Sequence, residues 1–152
     1  MKLSNAQLAT EMLAAYQRGD REGLEALIEP GIEIHGAPGL VNTGTYSGID
    51  GFMQWTAAWE DAWEDSHYEM VEMNEVSDEI LVGAVRVKAT GRNSGVPIKA
   101  VYGYLWEIRN GKATRFHVYE SHEEALRSAE GMAKQPAEEP AESEEPPAWE
   151  PG

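Results

Sequence analysis

With no cysteine in 152 residues, the side chains that can do chemistry here are histidines, tyrosines, arginines and carboxylates. Histidine titrates near neutrality unaided, so a histidine on a pocket wall is a natural general base. His35 is the candidate: it follows Ile32 and Ile34 on an alternating stretch and leads into a Gly-rich loop. Tyr104 can donate a hydrogen bond to a carbonyl or enolate oxygen. Arg86, in the middle of an apolar run, can hold a carboxylate or phenolate through two parallel hydrogen bonds. Each has a plainer alternative. His35 can be a hydrogen-bonded wall residue, Arg86 can pair with an acidic neighbour such as Glu72, and Tyr104 can be a core ring with its hydroxyl satisfied. A metal site joining His35 to His117 and His122 is disfavoured, since His117 is expected on an outer face and His122 on a terminal helix. No metal and no cofactor is expected, and His67 reads as solvated.

The elements that must position these groups centre on Ala100 to Glu120. AVYGYLWEI and ATRFHVY alternate, are rich in aromatic and β-branched residues, and flank Asn110-Gly111. Asn-Gly between such runs is a strong hairpin signal, because both residues tolerate positive φ. The turn has two residues, or three with Gly111 as a bulge, and a one-residue slip reverses the inward set. The bulged form is expected, and it pairs Tyr104 near Phe116 and Tyr102 near Val118. It places Tyr102, Tyr104 and Trp106 on one face with Phe116 and Val118.

Along the chain, Ser4 with Gln7 makes a capping box ahead of Leu8, Met12 and Tyr16 at helical spacing. Gly19 stops that helix, Asp20 caps a short second one through Leu24, Leu27 and Ile28, and Pro30-Gly31 ends it. A short strand at Ile32 to His35 precedes a loop from Gly36 to Gly48. Ser47 to Asp50 then caps a helix whose stripe is Phe52, Trp55, Trp59 and Trp63, a heavy apolar face that needs a large partner. HYEMVEMNEV and EILVGAVRVKAT read as strands around a turn at Ser77-Asp78, and Asn93-Ser94-Gly95 returns the chain to the hairpin. Ser121 caps a last helix, HEEALRSA. Helices first and strands after argue α+β, with helices packed on a mainly antiparallel sheet.

One domain is expected over residues 1–131, large enough for its own core. Residues 132–152 hold five prolines and almost no apolar side chains except Trp149, and are expected to be disordered. The net charge is -15, and from Ala129 onward seven Glu face one Lys. This acidity argues against nucleic acid, which needs a basic patch. The first residues lack a signal-peptide pattern and no stretch is long enough to span a membrane. Together with the lack of cysteine, this suits the cytoplasm.

The pieces Ala15-Tyr16-Gln17-Arg18-Gly19-Asp20, Ile34-His35-Gly36-Ala37-Pro38-Gly39, Gly44-Thr45-Tyr46-Ser47-Gly48, Trp106 to Lys112, and Val118-Tyr119 ahead of Glu123-Glu124-Ala125-Leu126 stand in an informative order. Over residues 5 to 131 the chain resembles the SnoaL-like, polyketide cyclase-like members of the nuclear transport factor 2-like superfamily. The resemblance implies a cone: a curved sheet wrapping one long helix around an apolar pocket, in a protein that is often a homodimer through its outer sheet face. Here Arg115, His117 and Tyr119 would lie there. Activities on this fold differ widely. The cyclases' acid/base Asp corresponds to Val118 and its neighbouring His to Tyr104. Of the epoxide hydrolases' Arg and paired Asp, at Arg86, Lys88 and Val118, only the Arg is kept. His35, Tyr104 and Arg86 are therefore the expected catalytic set. Tyr16, Trp55, Trp59, Tyr102, Trp106 and Val118 are expected to line the substrate pocket, with Trp63 near its closed or outer end.

The functional expectation is a small-molecule pocket protein. It is either a lyase, isomerase or hydrolase acting on an apolar cyclic or aromatic substrate, or a ligand-binding or accessory homodimer without catalysis.

Overall fold

The structure is a computed structural model and describes residues 3–134. The Ser4 hydroxyl accepts the Gln7 backbone N–H, and the Gln7 side chain accepts the Ser4 N–H. This closes the capping box on α1 (Asn5–Gln17), which buries Leu8, Ala9, Met12 and Ala15. The Asp20 carboxylate caps α2 (Arg21–Glu25) by accepting the Gly23 N–H. Ile28, expected at the end of that helix, instead opens β1 (Ile28–Gly36). Its side chain is buried beside Ile32 and Ile34, so tertiary burial overrides the helical spacing. β2 (Gly44–Ser47) lies inside the segment expected to be loop.

α3 (Gly48–Ala62) buries Phe52, Trp55 and Trp59. The tryptophan stripe ends there. Trp63 has an extended backbone (φ -129°, ψ 142°) and opens β3 (Trp63–Ser77) opposite Gly91. β4 (Ile80–Gly91), β5 (Pro97–Arg109), β6 (Lys112–Tyr119) and α4 (His122–Ala133) complete the chain. The strand order is β2-β1-β6-β5-β4-β3, with β1 and β6 parallel and every other neighbour antiparallel. This is the α+β cone: the sheet curves around α3, with α1 alongside, and their apolar faces merge into one core.

α4 packs on the other side of the sheet. Ala125 and Ala129 meet Ile80, Val82 and Leu105 in a second apolar cluster. That explains why β4 is buried over Ile80–Val85 without alternation: both of its faces are covered. Gly103 permits the approach, because a Cβ there would stand 2.4 Å from the Ser121 carbonyl oxygen and 2.7 Å from the Ala125 Cβ. α4 runs past residue 131 to Ala133, so the first residues of the tail expected over 132–152 are helical; the rest of that tail, from 135 on and Trp149 included, lies outside the described residues. No helix among the described residues is long and apolar enough to cross a membrane.

The hairpin has a two-residue turn, not the three-residue form expected. Asn110 (φ 53°) and Gly111 (φ 76°) both take left-handed backbone, and Arg109 pairs with Lys112. Left alone, that turn would put Phe116 and Val118 on the outer face. The extra residue comes further up: Ile108 pairs with Ala113 but Glu107 with Arg115, leaving Thr114 as a bulge whose hydroxyl donates to the Glu107 carbonyl. The bulge restores the parity. Tyr104 therefore opposes Val118 and Trp106 opposes Phe116, two residues away from the expected partners but on the expected face.

Candidate ligand-binding site

A partly open cavity lies between α1, α3 and the concave side of β3–β6. Trp55 and Trp59 come from α3, Tyr16 from α1, Tyr102, Tyr104 and Trp106 from β5, and Phe116 and Val118 from β6. The wall is completed by Met12, Leu13, Leu40, Asn42, Phe52, Thr56, Tyr68 and Val87. Phe116 is the hub: its ring sits edge to face with Trp55 (5.4 Å between centroids) and Tyr104 (5.1 Å), and tilted against Trp106 (5.5 Å). The space open to the centre of a water-sized sphere is about 50 Å³. At roughly 10–15 Å³ per water on that measure, the cavity is a narrow slot that a flat ring suits better than a bulky group. A larger ligand must extend past Tyr16 and Tyr68, which also border a more open polar hollow with Glu60 and Arg92.

The wall is uncharged. Its ionisable members are tyrosines, and burial pushes the phenols of Tyr16, Tyr68, Tyr102 and Tyr104 up from their usual range. They act as neutral hydroxyls, not as bases. At the rim, the Tyr16 hydroxyl donates to Glu60 at 2.9 Å and lies 3.4 Å from the Tyr68 hydroxyl. Three buried polar atoms on cavity residues have no partner among the described residues: Asn42 Oδ1, Trp55 Nε1 and Trp106 Nε1. Leaving such a group unpaired costs on the order of 1–3 kcal/mol, so native folds keep few of them. Trp59 differs, since its indole N–H donates to Ser66 Oγ at 3.0 Å.

The expected catalytic set is not brought together. Tyr104 lies in the wall, 8% exposed. His35 lies on the opposite face of the sheet from Ile34, stacked on His117 with centroids 4.8 Å apart, and contacts Glu33 at 3.2 Å and Thr45 at 3.5 Å. Period-2 alternation dictates this, because Ile32 and Ile34 are in the core. Arg86, between the buried Val85 and Val87, likewise points outward. It pairs with Glu69, its cross-strand neighbour, at 2.7 Å. Glu72 is not its partner, since a register shift between Met70 and Glu72 sets Glu72 opposite Ala84. His117 donates to Glu107 at 2.7 Å, and His122 contacts Asn74 at 2.8 Å, both away from the cavity. No group of three or more metal-ligating side chains occurs among the described residues.

The six residues expected to line a pocket all stand in the wall, while Trp63 packs on Trp59 outside it. Asn42 and Tyr68 were not foreseen. The alternation of Tyr68 and Met70 carried a signal for Tyr68, but a lone Asn in a Gly-rich loop carried none.

No curated protein sequence matches the chain. Solved structures do. A nuclear transport factor 2-like protein of Burkholderia pseudomallei has 23% identity and a TM-score of 0.70, over 82% of this chain and 96% of that one. TerC, co-crystallised with polyporic acid, has 19% identity and a TM-score of 0.70, over 84% and 99%. A Mycobacterium tuberculosis protein in complex with estradiol-17beta-hemisuccinate has 14% identity and a TM-score of 0.61, over 74% and 89%. At these identities the likeness is one of fold. The SnoaL-like domain family model matches residues 9–116, most of the described fold and of the cavity wall, and the chain belongs to that family.

Proposed function

We propose that the chain binds an uncharged, largely apolar ring compound in this cavity and does so without catalysis. The observation that carries this reading is the wall itself, which among the described residues contains aromatic and aliphatic side chains but no carboxylate, imidazole or cation. The position where the cyclases place their acid/base Asp is Val118, whose side chain helps to close the slot. Two fold neighbours were crystallised with multi-ring molecules, which supports a ring as occupant. Titration of tryptophan fluorescence with indane tests the reading. Saturable quenching is expected, and Val118→Phe, which fills the slot, abolishes it while circular dichroism stays native. Quenching that persists unchanged in Val118→Phe contradicts it.

A second reading, acid/base catalysis, is favoured by the rim contacts Glu60–Tyr16–Tyr68, which link the cavity wall to a carboxylate. It makes Glu60, acting through the Tyr16 hydroxyl, the proton acceptor in place of His35. Glu60→Gln then lowers turnover about 10²–10⁴-fold with affinity kept. We further propose a homodimer through the part of the outer sheet face that α4 leaves open, around Arg115 and His117 with His35 beside them; Tyr119, expected there too, packs against the α4 cluster instead. Light scattering at micromolar concentration that shows monomer alone refutes it.

A further inference from the structure

The cavity is not uniformly greasy, and its polar points follow a pattern. Trp106 is 2% exposed, and its benzo edge rests on β4: Cζ3 and Cη2 lie 3.0 and 3.2 Å from where a Cβ on Gly83 would stand. The Nε1–H is on the opposite edge of the indole and has no acceptor among the described residues. Trp55 is 9% exposed, held by Phe52 and Phe116, and its N–H has no acceptor among the described residues. Asn42 is 3% exposed, and its Nδ2 donates to the Trp55 carbonyl at 3.3 Å. That bond fixes the amide and leaves Oδ1 as an acceptor without a donor. Two donors and one acceptor without partners among the described residues are thus carried by side chains, each at least nine-tenths buried, that line one aromatic slot with no charged residue among its described wall residues.

Resting on the reading of the slot as a ring-binding cavity, we propose that it selects rings bearing carbonyl-type oxygens. The indole N–H groups of Trp55 and Trp106 hold such an oxygen, and Asn42 Oδ1 receives a hydroxyl or N–H of the same ligand. Indole N–H only donates, so it rewards an acceptor and gives nothing to a bare hydrocarbon. A carboxylate is rejected because no cation waits inside to offset its desolvation. Specificity of this kind comes from buried polar groups that only the right ligand satisfies. Trp59 takes no part, its N–H being already given to Ser66.

The test uses the full chain and three probes of one shape: indanone, indane and indane carboxylate. Proton–nitrogen correlation spectra resolve the tryptophan indole N–H groups, and Trp→Phe variants assign them. Indanone is expected to move the Trp55 and Trp106 indole resonances downfield and leave Trp59 nearly in place. Indane binds without those shifts, and the carboxylate does not bind. The ratio of indanone to indane affinity falls about tenfold in Trp55→Phe, the loss of one good hydrogen bond. Where Trp55→Phe or Trp106→Phe fails to fold, Trp59→Phe, Trp63→Phe and Trp149→Phe assign the other three indole resonances, and the remaining two in the wild type decide. Saturable binding of both neutral probes with the same small indole shifts overturns the polar recognition and leaves the cavity reading standing. No saturable binding of either neutral probe overturns both.

Discussion

Phe116→Ala is the most informative perturbation of the core. The ring is 3% exposed and touches Trp55, Tyr104 and Trp106, so its removal takes the common partner from three aromatic contacts. Buried Phe→Ala changes cost about 3–5 kcal/mol when the neighbours cannot collapse into the space. Collapse is limited here, because the rings are carried by two elements, Trp55 on α3 and Tyr104 and Trp106 on β5, and Trp106 is also wedged against Gly83. We expect a loss of about 4 kcal/mol, a large share of the ~5–15 kcal/mol available to a domain. For a domain of this size it lowers the melting temperature by roughly 12–20 °C. Urea denaturation followed by circular dichroism measures it. The enlarged slot then admits benzene, and benzene at about 100 times its Kd restores about 2.7 kcal/mol. A loss below about 1.5 kcal/mol, the range of a tolerated hydrophobic swap, refutes the view of Phe116 as the hub.

Other expectations follow from the same geometry. His35→Gln leaves indane affinity within twofold and stability within about 1 kcal/mol, since its contact with Glu33 is a half-exposed pair; a tenfold loss of affinity in a fluorescence titration contradicts its outward placement. Gly103→Ala forces α4 off β5 and destabilises by about 1–3 kcal/mol through overpacking, read by urea denaturation. The hydrogen bond from His117, with the charge of Arg115 adding to it, holds the Glu107 carboxyl below its ordinary value of 4.5. A depressed carboxyl contributes stability that is complete above that ordinary value and fades as pH falls through the folded one. His117→Ala therefore flattens the acid limb of the stability–pH curve below about pH 4.5, and an unchanged limb in denaturation series refutes the assignment.

Much of this architecture was legible. The capping box at Ser4, the Asn110-Gly111 turn and the inward face of the hairpin need only local chemistry, and the sequence carries it. The Thr114 bulge is different. Nothing in ATRFHVY marks it; it exists because Phe116 and Val118 must face the core after a turn that would otherwise turn them out. Trp63 kept the helical spacing but left the helix, because pairing with Gly91 outweighed another turn of α3. The outward placement of His35 and Arg86 is legible in parity: the burial alternation along β1 and β4 sends each to the outer face, whatever its chemical aptitude for a pocket. The unpaired atoms of Asn42, Trp55 and Trp106 could not be read at all, since satisfaction depends on every neighbour in space.

The central claim is that the aromatic slot, and not the histidine-bearing outer face, receives the ligand. It is tested most directly by nuclear Overhauser contacts between bound indane and the methyl groups of a carbon-labelled chain. Contacts to Val87, Val118, Leu13 and Leu40, all in the wall, are predicted. Contacts confined to Val101, exposed on the sheet, or to Thr45 beside His35 would contradict the account.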